Sequence, residues 1–220
     1  MLRYYLENLI HALDFASLQD ALLRAAAVLL CLTVHEVSHG LAALALGDLT
    51  AKSRHRLSLN PLRHIDWVGL AMMFVAGFGW AKAVPVNPRY FKKPKQGMAI
   101  AALAGPVSNF VLAVLFIGIS KVIYLYAPYT PMIESVFEFC LYTVAPLSVG
   151  LGLFNLLPIP PLDGSKVAAV LLPDHIYRPL MRYERFGILL LLILSWQGIM
   201  EGFISSAILS VFNALFNLFY

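Results

Sequence analysis

His35 and His39 stand four residues apart in the stretch Cys31-Leu-Thr-Val-His-Glu-Val-Ser-His-Gly40. On a helix that spacing puts both imidazoles on one face, one turn apart. Two neutral imidazoles so placed can grip one zinc ion. Glu36 lies beside them and can take a proton from a water activated by that ion. The chemistry on offer is hydrolytic. It requires a third protein ligand, commonly a carboxylate, and a position left open for water.

The surroundings of this pattern are unusual. Ala21–Leu46 is otherwise almost wholly apolar, with Arg24 as its only other charge. In a soluble helix such a match can be no more than charged surface, but an apolar span has no solvated face to hold it. Two histidines and a glutamate at membrane depth are costly, and such residues default to a functional reading. A helix over 20–46 would put His35 roughly 18 Å along the axis from its end, at 1.5 Å per residue. The metal would lie below the membrane surface, and water must be brought to it.

Composition fits that picture. Of the 220 residues, 60% are hydrophobic and 13% are charged, and the mean hydropathy is +0.77. A soluble domain carries about 25% charged residues. The class expected is an all-α polytopic membrane protein with little mass outside the bilayer, which excludes a soluble metalloprotease. The net charge of +4 sits mostly in loops, so it reads as topology and not as nucleic-acid binding. Cys31 and Cys140 fall in apolar stretches and read as packing residues. Residues 1–19 lack a signal-peptide pattern, and their helically spaced Leu, Ile, Phe and Tyr suggest an interfacial amphipathic helix.

Along the chain, apolar stretches at 20–46, 97–120, 134–157 and 186–200 read as spans. Residues 203–219 are a fifth span or a surface helix. The loop 48–64 is basic, with Lys52, Arg54, Arg56 and Arg63, as are 89–95 and 166–185. All three therefore read as cytoplasmic. His55 and His64 read as loop histidines. Residues 65–86 are apolar but broken by Asp66, three glycines, Lys82 and Pro85. A re-entrant segment suits them better than a crossing, because a crossing would put two basic loops on opposite sides. Residues 56–60 and 83–87 are the candidates for an exposed strand edge. The expectation is about four to six transmembrane helices, with a short re-entrant, β-like segment between the first two core spans. The divisions expected are an interfacial helix at 1–19, a membrane core at 20–172 and C-terminal helices at 173–220.

Two further polar positions bear on the site. Ala101, Ala102, Ala104, Gly105 and Ser108 are small and read as helix packing, while Asn109 reads equally as interhelical glue or as part of the site. The third stretch closes on Asn155-Leu-Leu-Pro-Ile-Pro-Pro-Leu-Asp-Gly164, where three prolines end the helix. Asp163 there could N-cap a short following helix. Coordination favours the other reading, since two histidines need a third ligand and Asp163 falls on the same membrane side.

HEVSHG near the end of one span and NLLPIPPLDG near the end of a later one resemble the site-2 protease family of intramembrane zinc metalloproteases. LNPLRHIDWVG, FGWAKAVPVNP, LAGPVSNF and NLLPIPPLDGSKV are similar to its short bacterial branch. The likeness covers about residues 30–170. It implies His35, His39 and Asp163 as ligands of one Zn2+ and Glu36 as the catalytic base. It further implies that Asn155 helps to position the scissile peptide or its oxyanion. Longer relatives carry PDZ or CBS domains, which this sequence lacks. The function so implied is cleavage of peptide bonds in or near transmembrane segments of other membrane proteins. The expected setting is a multi-pass protein of a bacterial cell membrane, its site toward the cytoplasm, with transmembrane substrates and lipid as partners. Self-association stays open. The rival reading is a zinc-binding membrane protein without proteolysis, such as a carrier or a chaperone-like relative. A carrier would show several polar sites and an internal repeat, and neither is visible.

Overall fold

The structure is a computed structural model. It describes residues 18–69, 81–173 and 199–220, with isolated positions between 176 and 197. Residues 1–17 of the expected interfacial helix, and 186, 188, 192, 195, 196 and 198 of the expected span at 186–200, lie outside the described residues.

The described residues form helices and connecting loops, with no strand among them. Helix α1 is Leu18–Ala45, α2 is the short turn Thr50–Ser53, and α3 is Pro94–Tyr126. Helix α4, Pro131–Glu138, runs through a π-helical turn at Phe139–Val144 into α5, Ala145–Asn155. The wide turn ends just before Pro146, whose ring and missing N–H do not fit an α-helical interior. Helix α6 is Asp163–Ala168 and α7 is Ile199–Phe216.

Three of these helical stretches are long and apolar enough to cross a bilayer: Gln19–Ala45, Pro94–Tyr126 and Pro131–Asn155. The second is longer at both ends than the 97–120 expected: Pro94 is a good first helical residue, the helix continues through Pro106, and it ends at Ala127, just before Pro128. Val107, Val111, Leu115, Ile119 and Val122 form an exposed apolar stripe along α3. In a bilayer that stripe faces lipid. The opposite face carries Ala101, Ala102, Gly105 and Ala113, all buried. Small residues there let the neighbouring helices approach closely.

Two apolar clusters hold the bundle together. Ala27 and Cys31 of α1 meet Leu112 of α3 and Val144 of the π-helical turn. Ala113 and Ile117 meet Leu141, Ala145, Val149 and Phe212 of α7. Both cysteines are buried and unpaired, as packing residues would be. At the other end of α3, Ala101 packs with Ala43 and Phe91. The end of α1 and the start of α3 therefore lie together.

Helix α1 stops because Gly47 takes φ +99°, a conformation that favours glycine. The N–H of Gly47 bonds to Leu44 O at 3.0 Å and that of Asp48 to Ala43 O at 2.9 Å, which is a Schellman cap. Asp48 is fully buried. Its carboxylate accepts from the N–H and hydroxyl of Thr50 and, at 2.6 Å, from the N–H of Asn87. Burial pushes the Asp48 carboxyl up, but the donors from Asn87 and Thr50 outweigh it and hold the group below the ordinary carboxylate range.

Residues 56–60 and 83–87, the strand candidates, do not pair as strands. They are linked by side-chain bonds instead. Arg56 donates from Nη2 to Lys82 O at 2.6 Å and from Nη1 to Arg63 O. The N–H of Lys82 donates to His64 O at 2.9 Å. His64 and Lys82, which flank the segment expected to be re-entrant, thus meet. The course of 70–80 between them lies outside the described residues.

Candidate metal centre

His35 and His39 project from the second half of α1, before the end capped by Gly47. Asp163 is the first residue of α6, after the proline-rich turn that ends α5. Gly164 allows that turn to close. A Cβ at Gly164 would lie 2.1 Å from Leu156 O, a distance no side chain tolerates. Leu162, not Asp163, occupies the N-cap, and no side chain caps the helix. The Asp163 carboxylate points at the histidines.

Three atoms converge there. His35 Nε2 is 3.1 Å and His39 Nε2 is 3.0 Å from Asp163 Oδ2, and the two nitrogens are 3.0 Å apart. Ligands at ~2.0–2.1 Å from a tetrahedral zinc lie about 3.3 Å from one another. The triangle therefore has the dimensions and the donor set of a zinc site. His35, His39 and Asp163 form the one His/Cys/Asp/Glu group among the described residues whose ligand atoms could hold a metal ion.

Surrounding contacts prepare those atoms. His39 Nδ1 donates to Ala101 O of α3 at 2.7 Å. That bond fixes the tautomer and leaves the Nε2 lone pair for a ligand. His35 Nδ1 is buried without a hydrogen-bond partner among the described residues. Lys166, one turn along α6, approaches the other Asp163 oxygen at 3.3 Å.

Gly105 was legible in sequence only as a packing residue. In the structure it forms the floor of the site. A Cβ there would lie 2.4 Å from His39 Cε1, 2.5 Å from His39 Nε2 and 2.7 Å from His35 Cε1. Any side chain at 105 would displace both rings.

A cavity of about 500 Å³ opens on the cluster. His35, Glu36, His39, Asn155, Asp163 and Lys166 line it, together with Ala83, Val84 and Val86 of the loop before α3. Glu36 is buried, and its Oε2 accepts from the Val84 N–H at 2.7 Å. Asn155 lines the same cavity and donates from Nδ2 to Leu151 O at 3.0 Å. Asn109 is elsewhere. It is fully buried, its main-chain carbonyl accepts from the Ser148 hydroxyl of α5 at 2.9 Å, its side-chain amide has no hydrogen-bond partner among the described residues, and it is not among the cavity-lining residues. His55 and His64 stay in the loop, His64 bonded to Ser58 O.

Residues 117–195 match the model described as Peptidase family M50, a stretch that contains Asp163. A Bacillus subtilis (strain 168) protein named "Putative zinc metalloprotease YwhC" is 36% identical over 200 residues, which cover 84% of this chain and 88% of that one. A Mycolicibacterium smegmatis protein named "Putative zinc metalloprotease Rip2" is 31% identical over 171 residues, covering 76% of this chain and 63% of its own. Its Mycobacterium tuberculosis (strain ATCC 25618 / H37Rv) namesake is 27% identical over 190 residues, covering 84% and 71%. No solved structure matches the chain with significance.

Proposed function

Because the chain belongs to peptidase family M50, a family of membrane-embedded zinc metalloproteases, we propose that it cleaves transmembrane proteins by the site-2 protease mechanism, at the cluster of His35, His39 and Asp163. The observation that carries this reading is the 3.0–3.1 Å triangle of two imidazole nitrogens and a carboxylate oxygen. It lies in a cavity shared with Glu36 and walled by membrane-crossing helices.

In this reading His35, His39 and Asp163 hold one zinc ion. Bound zinc supplies Lewis-acid activation of a water and polarisation of the peptide carbonyl. Glu36 accepts the proton of the attacking water and returns it to the departing amine nitrogen. The Val84 N–H holds one Glu36 oxygen in place and leaves the other for the proton. Asn155 contributes an amide to the cavity wall, where it can contact the substrate backbone. A glutamate in the cavity wall is what hydrolysis needs and what metal storage does not, which favours catalysis over the carrier reading.

A substrate helix hides its peptide bonds in internal hydrogen bonds and must unwind to be cut. Ala83, Val84 and Val86 line the cavity without regular structure and can offer backbone groups to an unwound segment. Lys52, Arg54, Arg56, Arg63, Lys92, Lys93 and Lys95 gather at the end of the bundle nearer the metal cluster. By the positive-inside bias that end is cytoplasmic, in a cell membrane.

The test is metal removal. Purified protein in liposomes, with a panel of single-span proteins, should cleave at least one of them. It should lose that activity with a zinc chelator and recover it with added zinc. Cleavage that persists in the metal-depleted protein would remove the zinc mechanism.

A further inference from the structure

A second cavity of about 450 Å³ borders the same chain segment as the metal cavity: Lys82 lines it, while Ala81, Ala83 and Val84 line the metal cavity. Its lining includes Arg54, His55, Arg56, Arg63, Lys82 and Trp67. Four of these carry full positive charges. None of the four makes an ion pair among the described residues, and no carboxylate lines the cavity. Two of the cations are already spent on the backbone. Arg56 clasps Arg63 O and Lys82 O, and Arg63 donates from Nη1 to His55 O at 2.8 Å. Arg56 Nε is left buried with no acceptor among the described residues. Arg54 and Lys82 carry their charges at the cavity with no hydrogen bond of their side chains to any described residue.

The edge of this cavity is apolar and uncovered. Leu62 is 70% and Trp67 75% exposed, and Leu59 beside them is 74% exposed. These residues belong to the loop that follows the capped end of α1, where a bilayer's headgroup region would lie. An indole at that level is at home, with its ring against acyl chain and its N–H toward water. A cationic pocket rimmed by an apolar surface at membrane depth matches one ligand in both halves: a phosphate headgroup above hydrocarbon tails.

We propose that this cavity binds the headgroup of an anionic phospholipid. Its phosphodiester sits among Arg54, Arg56 and Lys82, and its acyl chains lie along Leu62 and Trp67. The unopposed charge favours lipids with net negative charge over zwitterionic ones. Arg56 is the physical link to the metal cavity, because the carbonyl it holds, Lys82 O, is two residues from the Val84 N–H that holds Glu36. The bound lipid therefore backs the segment that borders the metal centre. The proposal rests on membrane embedding alone and not on proteolysis, and its test reads no turnover.

The test is lipid retention by the full-length protein. The protein is equilibrated in mixed micelles with equal phosphatidylglycerol and phosphatidylcholine, and the lipids that stay bound are counted by native mass spectrometry. Wild type should retain phosphatidylglycerol preferentially. The exposed-charge variant Arg54→Gln/Lys82→Gln should lose that preference by roughly fivefold per cation removed. Its zinc content should be unchanged, since neither side chain touches the metal cluster. A conservative Arg54→Lys variant should keep the preference. Equal retention of the two lipids by wild type would overturn the proposal, as would undiminished preference in the double variant. Displacement of phosphatidylglycerol by an acidic peptide at equal concentration would also overturn it and assign the pocket to a protein partner.

Discussion

The backbone N–H of Val84 donates a 2.7 Å hydrogen bond to Oε2 of Glu36. It joins residues 48 positions apart and ties the loop before α3 to the acid-bearing turn of α1. Charge-assisted bonds of this length are among the stronger ones a protein makes. The bond settles how the Glu36 carboxylate faces the cavity. Replacing Val84 by proline deletes the donor and keeps an extended backbone, since residue 84 already precedes Pro85 and is restricted to that region. The Val84→Pro enzyme should keep its zinc and its KM. Its kcat should fall by roughly tenfold or more, the worth of one hydrogen bond to a charged group. An unchanged kcat would show that Glu36 needs no such anchor.

Gly105 makes a different kind of prediction. A methyl group there would collide with both imidazoles at 2.4–2.7 Å. Gly105→Ala should lower zinc affinity by about 10- to 100-fold, the scale seen when the support of a metal ligand is lost. Metal analysis of the purified variant against wild type reads this directly. Since alanine is the better helix former, the helix content should not drop. Full zinc occupancy in Gly105→Ala at limiting metal would mean that the rings can move aside.

Asp48 gives the pH dependence. Its folded-state pKa is depressed by the donors of Asn87 and Thr50. The stabilisation it brings is present above the ordinary carboxylate range, near pH 4. It is lost as pH falls through the lower folded value. Asp48→Asn turns an acceptor toward the Asn87 N–H into a donor. At neutral pH it should cost about 2 kcal/mol, the penalty for a buried donor left unpaired. Thermal unfolding of both proteins in detergent should show a gap at pH 7 that narrows toward pH 3. A gap independent of pH would exclude ionised Asp48 as its source.

Asn155 lines the cavity while its amide is satisfied by Leu151 O. If it contacts substrate, Asn155→Leu should depress turnover by more than it lowers the unfolding temperature. Equal losses of folding and activity would assign it to the wall alone.

Much of the site was legible in the sequence, and the reason is local. His35, Glu36 and His39 are set by one helical turn, so their spacing already contains their geometry. Asp163 was harder, because an aspartate at the start of a short helix also reads as a cap. Only the fold shows Leu162 in the capping position and the carboxylate turned to the histidines. Gly105, the Ala101 carbonyl and the Val84 N–H were not legible, because two are backbone groups and the third acts by lacking a side chain. Their roles depend on which helix α1 packs against, and no local pattern encodes that. The one usable signal for Gly105 was its place among small residues in the span. For Asn109 the sequence left glue and site open. Its side-chain amide is buried outside the cavity lining with no hydrogen-bond partner among the described residues, so the structure shows neither contact. Alternation in 56–60 and the proline in 83–87 suggest extended edges. The two stretches do come together, but through the Arg56 guanidinium and not through strand pairing, and Pro85 removes one of the N–H groups that a ladder would use.

The most direct test of the central claim measures zinc content and turnover together in wild type, Glu36→Gln and Asp163→Ala. The account predicts one zinc per chain and cleavage in wild type. Glu36→Gln should keep its zinc and lose turnover by about 10²- to 10⁴-fold, the usual contribution of a general base. Asp163→Ala should lose both zinc and turnover. Near wild-type cleavage by Glu36→Gln, or full zinc occupancy with activity in Asp163→Ala, would contradict it.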